Sequence, residues 1–127
     1  MSALVVDISA WIHFFAGETL PALENALQEA RVILSPVVLA ELMSGVPPGT
    51  RKTQLLDFLD GLLLYPTDRA HWLAVGELRH TLLQHKLKVS TPDAHIAQCA
   101  LELKAGLLSF DSIFHKIAKF LPLHLAS

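Results

Sequence analysis

The sequence predicts an α/β fold with a short, mainly parallel central sheet of four or five strands between layers of helices. Three observations support this prediction. Short apolar runs alternate along the chain with longer segments whose apolar residues have helical spacing. The runs are continuously apolar, which is typical of strands covered by helices on both faces. The chain has 127 residues, 52% of them hydrophobic, so we expect a single domain with one core over residues 1–127.

The apolar runs and the capping residues between them predict the individual elements. Strands are expected at 3–6, 31–34, 62–65 and 107–110, with a short last strand at 123–125. The pairs Ser-Pro at 35–36 and Thr-Pro at 91–92 combine a capping hydroxyl with a proline that suits a first helical turn. Asp68 caps a long amphipathic helix, and Gly106 is expected to end the helix that follows position 92. Helices are expected at 9–15, 20–30, 36–45, 51–61, 69–85, 93–104 and 112–120.

The composition excludes several classes of protein. No apolar run is long enough to span a membrane, and the N-terminal segment lacks the basic region of a signal peptide. The single cysteine, Cys99, cannot form an internal disulfide. We therefore expect a soluble, cytoplasmic protein in which Cys99 is a buried structural thiol. The net charge of -2 gives no basic footprint, so a nucleic-acid partner has to be inferred from local features.

Four acidic residues fall where a parallel sheet brings side chains together. Asp7 is the first polar residue after the first strand, and Asp111 follows the fourth strand in the same way. Asp93 lies in the first turn of its predicted helix, and Glu41 lies in the second turn of another. Because the carboxyl ends of parallel strands and the starts of the following helices meet at one edge, we expect these acids to share a crevice there.

Each acid also has a structural explanation. Asp7 and Asp111 can cap the helices that follow them, and Asp93 can complement a helix dipole. Glu41 is the hardest to explain in this way, because its helix is apolar on almost every face and offers no basic partner within a turn. A buried carboxylate is costly unless it is paired or binds a metal, so we expect Glu41 to be buried at a functional site.

Four converging carboxylates repel one another unless a divalent cation joins them. Hard oxygen ligands favour Mg²⁺ or Mn²⁺ over Zn²⁺. Such a cluster is typical of phosphodiester cleavage, in which the metal activates a water and no protein nucleophile is needed. We interpret the seven histidines as surface or interface residues, with His13 and His95 close enough in sequence to the acids for a minor substrate contact.

The segments that contain the acids resemble the PIN-domain family, and more narrowly the VapC-type ribonuclease toxins of type II toxin–antitoxin pairs. The segments are VVDISAWI at 5–12, LSPVVLAEL at 34–42, TPDAHIAQCA at 91–100 and LLSFDSIF at 107–114. Their order and spacing cover nearly the whole chain. The resemblance implies a PIN-like three-layer α/β/α fold. It also implies a metal-dependent endoribonuclease that acts on RNA, forms a homodimer and is inhibited by a protein antitoxin.

The resemblance also implies roles for individual residues. The implied metal ligands are Asp7, Asp93 and Asp111. Glu41 is implied to position or activate the attacking water, and Ser9 and Ser109 to support the acids. The sequence departs from the family pattern at two positions. These are Ile8, where a small polar residue is common, and Ile113, where many members have a further Asp. The second departure leaves the number of metal ions open.

Several basic residues can contact RNA phosphates. They are Arg51, Lys52, Arg69, Arg79, Lys86, Lys88, Lys116 and Lys119. Two other functions remain open. A phosphatase with Asp7 as covalent nucleophile usually has a second acid two residues later, where this chain has Ser9. A non-catalytic RNA-binding or partner-binding domain usually lacks one or more of the acids, and here all four are present.

Overall fold

The central sheet consists of five parallel strands in the computed structural model, which describes residues 2–127. The strands are β1 Leu4–Val6, β2 Val32–Leu34, β3 Leu63–Leu64, β4 Gly106–Leu108 and β5 His124–Leu125. Their order in the sheet is β3-β2-β1-β4-β5, and all four pairings are parallel. The chain thus builds the sheet from β1 outward to β3 and then returns to the other side of β1 with β4. The predicted α/β class is confirmed.

Seven helices in the described residues complete the three layers. They are α1 Ile8–Phe15, α2 Pro21–Gln28, α3 Pro36–Gly45, α4 Thr50–Asp60, α5 Arg69–Gln84, α6 Thr91–Leu103 and α7 Ile113–Ile117. Strands β1, β2 and β4 are buried throughout, because helices cover both of their faces. The two edge strands are more open: in β3 Leu63 is 68% and Leu64 46% exposed, and in β5 His124 is exposed and Leu125 half-buried. No helix within residues 2–127 combines the length and apolarity needed to cross a membrane.

The helix starts follow the capping chemistry, with one shift of a residue. The Ser35 hydroxyl accepts hydrogen bonds from the backbone N–H groups of Val37 and Val38, and thereby caps α3 as predicted. In α6 the cap is Ser90 rather than the expected Thr91, and Ser90 Oγ accepts from the N–H of Asp93 at 3.2 Å. Asp93 therefore sits in a first turn whose orientation is fixed by a side-chain cap.

The end of α6 differs from the prediction. Lys104, not Gly106, turns the chain out of the helix, in the left-handed region at φ 50°. Gly106 begins β4 instead, where an added Cβ would lie 3.5 Å from Leu4 Cδ1 on the neighbouring strand. That is an ordinary van der Waals distance, so the packing does not require a glycine here, and a glycine after a helical pattern did not by itself mark the helix end.

Two further predictions are wrong in extent. Helix α7 covers Ile113–Ile117 instead of 112–120. In α5 the predicted apolar side buries Val75, Leu78 and Leu82, but Trp72 and Leu83 are exposed. Trp72 lies flat on the ring of a buried histidine, as described below.

Candidate active site

Asp7 lies at the centre of the carboxyl edge of the sheet. It follows β1, occupies the N-cap position of α1 and is only 4% exposed. Its side chain does not cap the helix. Instead its Oδ2 atom accepts hydrogen bonds from Ser9 Oγ and Ser109 Oγ, each at 2.8 Å. The structural explanation for Asp7 as a capping residue is therefore wrong, and its carboxylate is held for another purpose.

The two serines join the loop after β1 to the loop after β4. Their hydroxyl oxygens are 3.1 Å apart, and Ser9 Oγ also accepts from the backbone N–H of Phe110 at 2.9 Å. Strands β1 and β4 are neighbours, and the chain reverses its direction of sheet growth between them. In parallel α/β sheets this switch point is where ligand crevices form. Asp7, Ser9 and Ser109 stand at its mouth.

Asp111 stands at the same place on the β4 side. Its backbone N–H donates to Ser109 Oγ at 3.0 Å, and its Oδ1 accepts from the N–H of Ile113 at 3.0 Å. The carboxylate thus fixes the turn into α7, as the structural explanation expected. The side chain remains exposed, and its charge is felt by Asp93. Asp111 is both a turn-forming residue and a member of the acidic cluster.

Asp93 is half-buried in the first turn of α6. Burial raises its pKa, and the negative charges of Asp111 and Asp7 raise it further. The hydrogen bond with Ser90 acts in the opposite direction without reversing the shift. Ionisation of Asp93 therefore costs more free energy than ionisation of an aspartate in water, partly because its neighbours repel the negative charge.

Glu41 is exposed, so the expectation that it is buried is wrong. The helix α3 is buried mainly through Val38 and Leu42, and Glu41 lies on its open side. Partial loss of water around the carboxyl group nevertheless raises its pKa, and the charges of Asp7 and Asp93 add to this effect. The charges of Asp7 and Asp93 act on Glu41 only at short range, so its exposed carboxylate lies close to these two acids.

The four acids therefore form one cluster, defined as Asp7, Glu41, Asp93 and Asp111. None of them forms an ion pair in the described residues, where the three ion pairs join other residues. Uncompensated like charges at one crevice are a site for a cation, and the oxygen-only donor set suits Mg²⁺ or Mn²⁺. The residues present thus fit a divalent metal ion.

Two histidines form a buried cluster that the sequence interpretation missed. His71 and His95 are 3% and 0% exposed, against the expectation of surface residues. Burial and the nearby His71 lower the pKa of His95 to about 4, although Glu102 opposes the shift. The only signals in the sequence were the helical spacing of His95 and Cys99 on α6 and the start of α5 near His71.

Cys99 belongs to the same cluster, with Sγ 3.7–3.8 Å from the ring nitrogens of His95. His71, His95 and Cys99 bring possible ligand atoms within 4.8 Å of one another. However, hydrogen bonds already occupy the ring nitrogens, and burial raises the pKa of the thiol to about 12. Cys99 is a buried structural thiol as predicted.

An apolar groove opens beside Glu41. It has a volume of about 890 Å³ and runs between α1, the end of α3 and α4. Ile12 and Phe15 of α1 line it while remaining 59% and 45% exposed, and Arg51 lies at its α4 side. An exposed apolar surface of this kind next to a polar cluster is typical of a binding site for another molecule.

Fold and site together define an α/β domain with an acidic crevice at the switch point of a parallel sheet. The sequence model of the PIN domain family matches residues 4–120, and the chain belongs to this family. No curated protein matches the sequence.

Solved structures of toxin–antitoxin complexes have the same fold. A chain of DNA-bound VapBC from Salmonella typhimurium is 18% identical, with a TM-score of 0.80 over 99% of this chain and 98% of that one. A chain of VapBC2 from Rickettsia felis, bound to a DNA fragment from its promoter, is 25% identical, with a TM-score of 0.76 over 98% and 97%. VapBC-1 from nontypeable Haemophilus influenzae gives 17% identity and a TM-score of 0.78 over 98% and 97%.

Proposed function

We propose that this protein is a metal-dependent endoribonuclease, and that residues 1–127 act as a single catalytic domain. The observation that carries the proposal is the cluster of four carboxylates without a paired cation at the switch point of the sheet. Maintaining such repulsion lowers stability, and it is explained if a divalent cation binds there during function.

Each acid has a separate role in this proposal. Asp7, Asp93 and Asp111 hold Mg²⁺, which Mn²⁺ can replace. When bound, the ion would supply charge that stabilises the phosphate and lowers the pKa of a water. Glu41, whose pKa is already raised, would orient the attacking water and accept its proton. Ser9 and Ser109 keep the Asp7 carboxylate in one orientation through their hydrogen bonds to Oδ2.

The RNA backbone requires positive charge outside the metal site, because the whole chain has a net charge of -2. Lys86 and Lys88 are exposed and lie shortly before α6, which carries Asp93. Arg51 lines the groove beside Glu41. Arg79 is a weaker candidate, since its Nε donates to the backbone oxygen of Val89 at 2.9 Å and so holds the chain between α5 and α6.

We further propose that the protein is the toxin of a toxin–antitoxin pair, a VapC-type member of the family. The VapBC structures named above support this proposal, and so does the apolar groove beside Glu41. A protein antitoxin that fills this groove buries Ile12 and Phe15 and blocks access to the acids. As a toxin of this kind, the protein would act in the cytoplasm as a homodimer.

The test of catalysis uses purified protein, freed of any partner, and total cellular RNA. We expect discrete cleavage products with Mg²⁺ or Mn²⁺ and none with EDTA. Asp93→Asn should lose at least about 100-fold in rate, because a metal ligand contributes several kcal/mol to stabilising the transition state. Asp57→Asn, on the exposed side of α4, is the matched control and should cleave as wild type does.

Two results would contradict the proposal. Absence of cleavage by folded protein with either metal would favour the non-catalytic RNA-binding or partner-binding domain. Equal cleavage by wild type and Asp93→Asn would show that the activity comes from a contaminant or from another site.

A further inference from the structure

A chain of hydrogen bonds, buried except at its Glu102 end, runs beside the acidic cluster. His71 Nδ1 is 2.8 Å from Glu102 Oε1, and His71 Nε2 is 2.7 Å from His95 Nδ1. His95 Nε2 is 2.6 Å from Ser35 Oγ. We call these four residues, Glu102, His71, His95 and Ser35, the relay. Glu102 lies near the C-terminal end of α6, and His71 lies in the first turn of α5. His95 lies in the first turns of α6, and Ser35 is the N-cap of α3.

The donors in the relay follow from counting protons. Ser35 Oγ already accepts from the N–H groups of Val37 and Val38, so its two lone pairs are used and its O–H donates to His95. His95 then carries its proton on Nδ1 and donates it to His71 Nε2. His71 in turn carries its proton on Nδ1 and donates it to Glu102. Each ring nitrogen has one partner of the right kind.

The carboxylate end of the relay is anchored independently. Burial alone would raise the pKa of Glu102, but hydrogen bonds from Tyr65, His71 and Gln98 outweigh it and lower the pKa. Tyr65 Oη donates to Oε1 at 2.7 Å, and Gln98 Nε2 donates to Oε2 at 3.0 Å. A carboxylate acceptor whose pKa is lowered in this way keeps the donor direction the same along the whole relay.

Packing restricts the two rings further. The indole of Trp72 stacks on His95 with ring centres 4.8 Å apart and planes inclined by 12°. His71 meets the His95 ring almost at right angles, with centres 4.9 Å apart. A fully satisfied polar network in a closely packed core has one low-energy arrangement, because any rotation leaves a buried donor or acceptor unpaired.

The relay ends on the two helices that carry half of the acidic cluster. Ser35 caps α3, which carries Glu41 in its second turn, and His95 follows Asp93 by two residues on α6. The Ser35–His95 bond is therefore a direct link between the starts of these helices. We propose that His71 and His95 are positioning residues that, through Ser35, hold the start of α6 against the start of α3 and so keep Asp93 in place for metal binding, with Glu41 beside it. The inference rests on the metal site of the proposed function, but not on its substrate.

The test compares three variants of α5 by calorimetric titration with Mn²⁺ and by thermal unfolding. His71→Leu removes both polar atoms of the side chain, whereas His71→Gln keeps a donor and an acceptor. Val75→Ala is the control, because Val75 is buried one turn further along α5 and makes no relay bond. It should lower the melting temperature without touching the relay.

We expect His71→Leu to weaken Mn²⁺ binding about tenfold, at the low end of what outer partners of metal ligands contribute. His71→Gln should recover most of this loss, and Val75→Ala should bind Mn²⁺ as wild type does despite its lower stability. Equal Mn²⁺ affinity in wild type and His71→Leu would overturn the proposal. So would a loss in Val75→Ala equal to that in His71→Leu, because the effect would then be one of stability alone.

A second pair of variants covers the case in which His71→Leu does not fold. Ser35→Ala removes the last bond of the relay, and Ser44→Ala removes a hydroxyl at the other end of the same helix that bonds only to Ala40 O. Only Ser35→Ala should weaken Mn²⁺ binding. Wild type that binds Mn²⁺ but cleaves no RNA would refute the proposed function and leave the relay to be judged by these affinities.

Discussion

At the scale of single residues, the carboxylate of Asp7 shows how the site is prepared for a cation. Both serine hydroxyls donate to Oδ2, and Oδ1 makes no hydrogen bond within residues 2–127. A carboxylate held through one oxygen presents the other in a fixed direction, which reduces the entropy lost on binding a metal. If the proposed ion binds at Asp7, the serines should therefore increase its affinity through their hydrogen bonds to Oδ2.

Removing one of these hydroxyls should weaken metal binding without unfolding the protein. For Ser109→Ala we expect roughly a 10-fold loss of Mn²⁺ affinity, since Asp7 keeps only its bond from Ser9. Ser112→Ala is the matched control, because Ser112 is exposed and its side chain caps nothing. Calorimetric titration measures both. Equal affinity in the two variants would mean that Asp7 needs no orientation by Ser109.

The raised pKa of Asp93 leads to a prediction about stability. A carboxyl group whose pKa is higher in the folded than in the unfolded protein stabilises the fold below its unfolded pKa. That stabilisation is lost as the pH rises through the folded pKa. At pH 7 without metal the ionised side chain thus opposes folding, and Asp93→Asn should raise the melting temperature by a few degrees.

The same reasoning fixes the controls for this variant. Excess Mg²⁺ should stabilise wild type more than Asp93→Asn and so remove or reverse the difference. Near pH 3 the carboxyl group is largely protonated and the two proteins should melt together. Asp57→Asn should change nothing at either pH. A lower melting temperature for metal-free Asp93→Asn at pH 7 would show that Asp93 is stabilised by something other than a cation.

What could be predicted at this scale was the type of residue, not its surroundings. Asp7 and Asp111 were identified because they directly follow apolar runs, and the register of a parallel sheet does bring those positions together. Glu41 was identified for the wrong reason, since it is exposed rather than buried. His71 and His95 were missed, because a histidine on the apolar side of a helix does not show in the sequence which side chain it contacts across the two helices.

At the scale of elements, helix starts were easier to predict than helix ends. A hydroxyl residue followed by proline suits a helix start, and both such pairs lie at one, although in α6 the capping hydroxyl is Ser90, one residue before Thr91. Helix ends depend on which residue enters the left-handed region, and in α6 that residue is Lys104. A lysine gives no signal there, because its side chain does not favour this conformation.

Lys104→Gly should therefore stabilise the protein. Glycine adopts the left-handed region without steric cost, which removes backbone strain from the folded protein. Glycine also gives the unfolded chain more conformational entropy, which offsets part of this gain. We therefore expect a net rise of about 0.5–1 kcal/mol in the free energy of unfolding. Lys52→Gly, in the first turns of α4, should lower it by a similar amount. Urea unfolding of both variants tests the opposite signs. A decrease in both would mean that the Lys104 side chain contributes contacts that outweigh its backbone strain.

At the scale of the whole molecule, the order of the strands brings acids that are far apart in sequence to the same edge of the sheet. The segments before and after the switch point are about 100 residues apart in sequence, yet Ser109 Oγ lies 2.8 Å from Asp7 Oδ2. Alternation of strands and helices predicted the class of fold. It did not predict which surface stays open, because exposure of Ile12 and Phe15 depends on how α1, α3 and α4 diverge around the groove.

That open surface gives a prediction about inhibition. If a protein antitoxin occupies the groove, Ile12→Ala should weaken its binding about tenfold, because truncating an apolar anchor in an interface costs at least about 1 kcal/mol. Ile12 is 59% exposed, so the fold should tolerate the change.

Leu73→Ala is the matched control, with the side chain 62% exposed on α5 and away from the groove. The measurement is inhibition of RNA cleavage by a cognate antitoxin, with cleavage by each variant alone as reference. Equal inhibition of the two variants would place the antitoxin on another face, and loss of inhibition in Leu73→Ala alone would place it on α5.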